Sequence, residues 1–456
     1  MADLRVNFAG IKAPNPFWLA SAPPTDKEWN VVRAFRAGWG GVVWKTLGEA
    51  GPPVVNVSGP RYGALHGPDR RVIGFNNIEL ITDRPLEINL REITQVKRDW
   101  PDRAMIVSLM VPCDEPSWKA ILARVEETNC DAVELNFGCP HGMSERGMGS
   151  AVGQVPEYIE RVTRWCKIHT RMPVLVKLTP NVTHILGPAE AAQRGGADGI
   201  SLINTVNSIM GVDLDTMSPV PVIDGMGTHG GYCGRAVKPI ALHMVGEIAR
   251  GAKTQGMAIS GIGGIETWRD AAEFMALGAG TVQVCTAAML YGFKIVEEMK
   301  TGLSAFLDER GLALSDLTGR AVPKLTDWQH LHIDYAVKAL IDQELCIKCG
   351  RCHIACEDTS HQAITQSLNG VRHFEVIETE CVGCNLCASV CPVDACISMV
   401  PMQAGAVDPR TGLVVGGGRT WKEHPNNPGA VAAVAHEPVA QPRSVRAGEY
   451  VMEPGE

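Results

Sequence analysis

Eight short apolar runs recur along residues 1 to about 300, and longer amphipathic segments lie between most of them. Each run is almost entirely apolar, which is typical of parallel strands covered on both faces. The pattern therefore predicts eight buried strands, which cover residues 17–22, 40–46, 105–110, 132–138, 173–179, 199–205, 257–263 and 281–287.

Helical periodicity is present between the strands. Residues 115–129 and 156–170 repeat apolar positions three and four apart, and residues 187–196 and 268–280 are short helical segments that end at glycine. Eight βα units in a row predict an α/β fold, a (β/α)8 TIM barrel. An open doubly wound sheet also alternates in this way. The count of eight, with a polar residue at the end of nearly every run, favours the barrel.

The rest of the chain divides by composition. A closing helix completes a predicted barrel over residues 1–310, and a polar connector follows over 311–342. A small cysteine-rich domain is predicted for 343–402. Residues 403–456 are rich in Gly, Pro and Ala without periodicity, which predicts an extended or disordered tail.

Charge and hydropathy narrow the function classes. The net charge is −8 and no long basic run occurs, so nothing indicates a nucleic acid or an anionic membrane as partner. The amino-terminal residues lack a signal pattern, and no stretch reaches the length of a membrane span. These features predict a cytoplasmic protein.

Nine of the fifteen cysteines fall between residues 346 and 396. Eight of them form two C-x2-C-x2-C-x3-C runs, which is typical of ferredoxins with two [4Fe–4S] clusters. In that pattern the fourth cysteine of each run binds the other cluster. We therefore predict one cluster on Cys346, Cys349, Cys352 and Cys391, and another on Cys381, Cys384, Cys387 and Cys356. Zinc is disfavoured, because zinc sites need four ligands and rarely use doubled runs of this form.

Two details depart from this pattern. Glu357 stands where a proline usually follows the first run, which predicts altered local geometry rather than a missing cluster. Cys396 is a ninth cysteine, which we interpret as a buried small hydrophobe. Because such clusters pass single electrons, the domain is predicted to carry electrons between two redox centres.

Barrel chemistry gathers at the carboxyl ends of the strands. Lys45 and Lys177 end otherwise apolar strands, which is costly unless an anion pairs with them, and a reduced flavin would supply one. Glycines 261–264 after the seventh strand and Cys285–Thr286 after the eighth resemble a phosphate cradle. We therefore predict FMN, although strand-end Asn and Thr often only cap helices. Because no G-x-G-x-x-G opens a helix, electrons are expected to pass through the clusters to or from another chain.

Several longer motifs carry a family resemblance. "LNFGCPHGMSERGMG", "KLTPNVT", "LINTVNSIMG" and "FNNIELITD", with the tandem cysteine runs, resemble the dihydropyrimidine dehydrogenase family over roughly residues 3–400. The resemblance is strongest to the catalytic FMN and iron–sulfur subunit of its bacterial NAD-dependent type. It implies reversible reduction of uracil or thymine at the 5,6 double bond. It also implies a partner subunit with FAD, NAD(H) and further clusters, in a hetero-oligomer such as a heterotetramer.

The resemblance also implies roles for particular residues. The pyrimidine would be held by Asn77, Glu79, Asn136, Asn204 and Thr205. FMN would be held by Ser21, Ala22, Lys45, Thr46, Asn136, Lys177, Asn204, Gly234, Gly263, Gly264, Cys285 and Thr286. Gly138 stands where the mammalian enzymes carry serine, which removes one possible hydrogen bond to substrate.

Cys139 is the predicted catalytic acid. A hydride would pass from FMN N5 to C6 of the pyrimidine, and Cys139 would protonate C5, because a thiol with a pKa of about 8.5 is mostly protonated at neutral pH. The glycine-rich loop over residues 141–150 is expected to close as a lid. His141 and Glu145 are weaker candidates for setting its charge.

Two other functions stay open at this stage. A dihydroorotate dehydrogenase-like flavoenzyme is disfavoured by Glu79, whose carboxylate would repel that of orotate, and by the fused cysteine-rich domain. A ferredoxin-type carrier with a barrel scaffold is disfavoured by the two lysines and the "NFGCPH" segment. The sequence does not separate uracil from thymine as the preferred substrate, or set the direction of the reaction.

Overall fold

The computed structural model describes residues 2–49, 54–368, 370–424 and 426–428. The chain divides into two compact units, Met1–Leu325 and Thr326–Glu456, which are described separately below. The division falls inside the predicted connector. Its first part packs on the barrel unit, since Gly319 N donates to Met275 O at 2.8 Å and Ala321 N to Ala276 O at 2.8 Å.

The first unit is a closed barrel of eight parallel strands, which confirms the predicted fold and excludes the open sheet. The barrel strands, in chain order, are Phe17–Leu19, Gly41–Leu47, Ala104–Leu109, Ala132–Asn136, Val174–Lys177, Gly199–Leu202, Ala258–Ile262 and Ala279–Val284. The covering helices are Glu28–Ala37, Leu86–Asp99, Glu115–Glu126, Pro156–His169, Leu186–Arg194, Lys238–Arg250, Trp268–Ala276 and, after the short helix Thr286–Tyr291, Ile295–Arg310.

The two ends of the barrel differ. At the amino-terminal end the hairpin Val6–Phe8 and Ile11–Ala13 packs its Phe8 and Ile11 against Trp18 and other inward-facing apolar side chains. Burial of apolar surface stabilises a fold by about 25 cal/mol per Å². The buried side chains of the hairpin therefore hold this end of the barrel closed. The chemistry is thereby left to the carboxyl ends of the strands.

A four-stranded antiparallel sheet stands beyond those carboxyl ends. Its strands are Tyr62–His66 and Val72–Asn77, inserted after the second barrel strand, and Val206–Ser208 and Gly230–Cys233, inserted after the sixth. The order places Gly230–Cys233 beside Val72–Asn77 at its centre. This sheet was not predicted from the sequence, and it joins two segments more than a hundred residues apart.

The second unit consists of short elements. Val337–Ile341 pairs antiparallel with Ile397–Pro401, and Ile364–Ser367 pairs with His373–Val376. Helices Arg351–Glu357 and Leu386–Ser389 each follow the start of one cysteine run.

The predicted tail falls in two parts. Residues 403–424 are hydrogen-bonded within the second unit and include a bridge between Val407 and Val414 and a turn at Trp421–Glu423. Apart from residues 426–428, the remainder lies outside the described residues. Across the described part of the chain, no helix is long and apolar enough to cross a membrane.

Candidate active site

A cavity open to solvent lies at the carboxyl ends of the barrel strands. The inserted sheet contributes part of its wall through Tyr62, Phe75 and Tyr232. Every residue that the family resemblance assigns to substrate or FMN lines this one cavity together with Cys139: Ser21, Ala22, Lys45, Thr46, Asn77, Glu79, Asn136, Cys139, Lys177, Asn204, Thr205, Gly234, Gly263, Gly264, Cys285 and Thr286.

Three of these polar side chains form a continuous chain across the cavity wall. Asn136 Nδ2 donates to Thr46 Oγ1 at 2.9 Å, and its Oδ1 accepts from Asn204 Nδ2 at 3.0 Å. Asn204 Oδ1 in turn accepts from the backbone N–H of Thr205 at 2.8 Å. Each amide carries two N–H donors, so Asn136 and Asn204 each keep one for a ligand.

Asn77 belongs to the inserted sheet rather than to the barrel. Its Nδ2 donates to Gly231 O at 3.1 Å, which ties the two inserted segments together, and its Oδ1 accepts from Glu79 N at 3.2 Å. The Asn77 side chain also hydrogen-bonds Cys233 of the same sheet, so its amide is held on both sides by the inserted segment.

Glu79 is the most strongly held carboxylate in the cavity. Its Oε1 pairs with Lys45 Nζ at 2.8 Å, while its Oε2 forms an ion pair with Arg61 Nη1 at 3.1 Å and accepts a hydrogen bond from Tyr62 OH at 3.2 Å. Burial and the neighbouring Glu79 charge raise the pKa of Tyr62, which keeps that hydroxyl a donor. The sequence predicted an anion for Lys45 and suggested the flavin, whereas here the partner is a carboxylate of the chain.

Lys177 also has a carboxylate neighbour. Glu134 lies within the fourth barrel strand, and its side chain is fully buried. Its Oε2 accepts from Ser201 at 2.7 Å and from Gln283 at 3.0 Å. Its Oε1 lies 3.8 Å from Lys177 Nζ and accepts no hydrogen bond from a described residue. A buried carboxylate of this kind is stable only beside a positive charge, so Lys177 and Glu134 act as a pair.

Cys139 lies just beyond the fourth strand with its thiol in the cavity. The Sγ donates to His141 O at 3.4 Å, and Ile81, Met110, Met143 and Met148 pack around it. Burial among these apolar side chains raises the pKa of Cys139 to about 11. The thiol is therefore protonated throughout the neutral range.

The loop after Cys139 is folded down onto it. Ser150 N donates to Cys139 O at 3.0 Å, and a Cβ at Gly149 would lie 2.9 Å from that same oxygen. Gly149 adopts a φ of +57°, so this close approach depends on glycine. His141 is buried, with Nε2 3.0 Å from Glu79 O, whereas Glu145 is exposed.

The opposite side of the cavity is built for a phosphate. Gly234, Gly263 and Gly264 all have positive φ, and a Cβ at Gly264 would lie 2.9 Å from Gly234 O. Two loops therefore meet closely with bare backbone facing the cavity, next to the start of helix Thr286–Tyr291, whose first N–H groups have no partner within the helix. With Lys177 on the barrel floor, these residues fit the phosphate and ring of FMN.

The predicted cluster cysteines line two separate cavities of the second unit. Cys346, Cys349, Cys352 and Cys391 line one cavity, together with Cys396. Cys356, Cys381, Cys384 and Cys387 line another. These two groups of four are named the first and the second cysteine set. Each set takes three cysteines from one run and one from the other, and surrounds a volume instead of converging on one point, which fits a cubane cluster.

Family models and relatives agree with this architecture. The dihydroorotate dehydrogenase family model matches residues 3–307, and a 4Fe–4S dicluster domain model matches residues 339–399. The chain is 42% identical over 398 residues to the Escherichia coli K12 NAD-dependent dihydropyrimidine dehydrogenase subunit PreA, which covers 87% of this chain and 95% of that protein. The chain belongs to the dihydropyrimidine dehydrogenase family.

Other members of this wider group share the barrel. The chloroplastic dihydropyrimidine dehydrogenase (NADP(+)) of Arabidopsis thaliana is 42% identical over 71% of this chain and 78% of its own. The catalytic subunit of dihydroorotate dehydrogenase B (NAD(+)) from Pyrococcus horikoshii is 37% identical over 70% of this chain and 98% of its own. A solved dihydroorotate dehydrogenase from Eimeria tenella has the same barrel fold, with a TM-score of 0.56 at 21% identity over 70% of this chain and 88% of its own. The matched domains support FMN and two [4Fe–4S] clusters as cofactors.

Three site residues escaped the sequence analysis. Glu134 sits inside an apolar run and was counted as strand, while Tyr62 begins the first strand of the inserted sheet and Arg61 directly precedes it. A charged residue in an otherwise buried strand is itself a signal, because it must have a partner. By that argument, Glu134 predicts a positively charged partner, and the structure places Lys177 beside it.

Packing against Asn204 explains why glycine occupies position 138, which the sequence alone did not reveal. A Cβ at this position would lie 2.3 Å from Asn204 Cβ and 2.4 Å from its Nδ2. The loss of a serine hydrogen bond is therefore secondary, because no side chain fits while Asn204 stands where it does.

We expect Gly138→Ala to displace Asn204 and break its bond to Asn136. One or two lost hydrogen bonds of about 0.5–1.5 kcal/mol each should raise the KM for uracil by roughly tenfold, with FMN still bound. Steady-state kinetics and flavin content measure this. Gly211→Ala is the matched control, since a Cβ there meets open space. An unchanged KM in Gly138→Ala would contradict the packing role.

Proposed function

We propose that this chain catalyses the reversible reduction of the 5,6 double bond of uracil or thymine. The observation that carries the proposal is that Cys139, Glu79 and the Asn136–Asn204 amide pair line one cavity with the FMN cradle. The site thus offers an acid, a hydrogen-bond acceptor and several donors to one flat polar ring.

The polar groups match the rim of a pyrimidine. Uracil presents two carbonyl acceptors and two N–H donors. The free amide N–H groups of Asn136 and Asn204 suit the carbonyls, and the Glu79 carboxylate suits an N–H. Asn77 lines the same cavity beside Glu79. A site of this kind rejects analogues that leave its buried polar groups unpaired.

The chain's own residues perform the proton chemistry and the positioning. When bound, FMN supplies the hydride for C6 of the ring. Cys139 donates its proton to C5 during reduction and accepts a proton from C5 in the reverse reaction. Its raised pKa keeps the thiol protonated at neutral pH. Gly263, Gly264 and Thr286 would hold the phosphate, and Lys177 would face the ring. The folded loop over Cys139 keeps water away from the reacting atoms.

Electron supply is proposed to run through the second unit. The two cysteine sets would each hold a [4Fe–4S] cluster, and each cluster would carry one electron at a time. The sequence has no dinucleotide fingerprint. We propose a partner subunit that carries FAD and NAD(H), in a heterotetramer that works in the cytoplasm, where thiols stay reduced.

Anaerobic titration of the purified holoprotein tests the reaction. We expect dihydrouracil to bleach the flavin absorbance and dihydroorotate to leave it unchanged. Dihydroorotate oxidation is the second candidate, because the barrel matches the dihydroorotate dehydrogenase model. Bleaching by dihydroorotate alone would establish that reaction instead, and bleaching by neither would refute both.

Glu134→Gln should raise the reduction potential of the bound flavin. Removal of the buried negative charge beside Lys177 leaves the lysine charge less compensated, which favours the reduced, more negative flavin. Spectroscopic redox titration measures the potential. Glu160→Gln, an outer-surface carboxylate paired with Arg164 and Arg194, is the control. A lowered or unchanged potential in Glu134→Gln would contradict this role.

A further inference from the structure

The segment that follows the second unit's last strand folds back along the residues that precede its first strand. Met402 N donates to Ala336 O at 2.9 Å, and Ile333 N donates to Arg419 O at 2.9 Å. The Trp328 and Trp421 rings lie 6.0 Å apart. Residues 402–424 are named the return segment. Neither family model extends beyond residue 399, so the return segment lies outside both matched domains.

A tight turn in the return segment presents one buried carboxylate. Asp408 N donates to Leu413 O at 2.9 Å, and the Asp408 side chain accepts from Arg410 N at 3.2 Å and from Thr411 Oγ1 at 3.1 Å. Asp408 is only 7% exposed. The turn therefore fixes this carboxylate and points it inward.

The partner of Asp408 is a buried lysine beside the second cysteine set. Lys338 is 8% exposed; its Nζ pairs with Asp408 Oδ1 at 3.2 Å and donates to Cys381 O at 2.6 Å. The next residue, Ala339, directs its backbone N–H at Cys381 Sγ at 3.5 Å. The ion pair thus stands next to one cysteine that lines the second cavity.

Asp408 is held in its charged form. Burial acts to raise its pKa, but the hydrogen bonds from Arg410 N, Lys338 and Thr411 hold the pKa of Asp408 below its ordinary value. A full negative charge therefore opposes the Lys338 ammonium at neutral pH.

We propose that the return segment sets the reduction potential of the cluster in the second cysteine set, through Asp408 acting on Lys338. One-electron reduction adds a negative charge to a cluster. A buried ammonium nearby favours that reduced form, and a carboxylate paired with the ammonium offsets it. The inference rests on the proposed cluster in the second set and is independent of the proposed pyrimidine chemistry.

An EPR-monitored redox titration of the full-length holoprotein tests the proposal. We expect Asp408→Asn to raise one of the two cluster midpoint potentials and Lys338→Met to lower the same one. The double variant should return that potential toward the wild-type value, and the other potential should stay fixed in all three. Asp394→Asn, an exposed carboxylate close to Cys391, is the matched control for loss of one charge.

Three results would overturn the proposal. The first is no shift in either single variant, and the second is a shift of the same sign in both. The third is loss of bound iron in Asp408→Asn with normal iron in Asp394→Asn, which would assign Asp408 to cluster assembly. Because these titrations need no substrate, they test this proposal even if the chain does not catalyse the pyrimidine reaction.

Discussion

Replacement of Cys139 by serine is expected to slow uracil reduction by about 10²- to 10⁴-fold, the usual contribution of a positioned acid. A serine hydroxyl fills almost the same space but is a far weaker acid than a thiol. FMN should stay bound, because the FMN cradle lies in other loops, at Gly234, Gly263–Gly264 and Cys285–Thr286. Steady-state turnover of uracil and flavin content per chain measure the two effects.

The pH dependence sharpens this prediction. The pKa of Cys139 is raised to about 11 by burial, so the thiol stays protonated below that value and loses its proton only as the pH rises through it. The acid step should therefore not limit wild-type turnover across the neutral range, and should fail on the alkaline side. Cys113→Ser is the control, since Cys113 is half-buried outside the cavity. Near-normal turnover in Cys139→Ser would remove Cys139 from the mechanism.

The parts of the fold with local signals were predictable. Each barrel strand is nearly continuous in apolar residues, and the polar residues that end the strands had to meet at one rim once the barrel closed. Cysteine spacing likewise predicted the two sets of four that surround separate cavities. In both cases a short stretch of sequence carries the whole physical constraint.

The inserted sheet shows why other parts were not predictable. Its strands are short, and Gly230–Cys233 must pair with Val72–Asn77 from more than a hundred residues away. No local periodicity encodes such a pairing. Asn77 and Glu79 were accordingly reached only through the family resemblance, and Arg61 and Tyr62, which also hold Glu79, were not reached at all.

The return segment makes contacts that its composition does not indicate. Its composition predicts an extended or disordered tail, yet residues 403–424 are held by pairs such as Lys338–Asp408 and Arg419–Asp334. Composition measures how much apolar area a segment can bury on its own. It does not register single buried ion pairs with residues earlier in the chain.

Replacement of Glu79 by glutamine is the second large effect that we expect. Glu79 pairs with Lys45 and Arg61 and accepts a hydrogen bond from Tyr62. Among the residues that the structure describes, the next carboxylate near Lys45 is that of Asp26, at 3.8 Å. Loss of the charge weakens a hydrogen bond to the pyrimidine N–H worth about 1.5–3 kcal/mol, so the KM for uracil should rise roughly 10- to 100-fold.

The same change should lower the stability and alter the selectivity. Breaking a buried ion pair costs about 3–5 kcal/mol, so the thermal midpoint should fall. Orotate should bind better relative to uracil, since the carboxylate that repels it is gone. Glu145→Gln, exposed on the loop after Cys139, is the control and should change none of these. An unchanged KM with a lowered midpoint would make Glu79 a structural anchor for Lys45 only, whereas a KM that rises for uracil and falls for orotate would place its charge at the substrate.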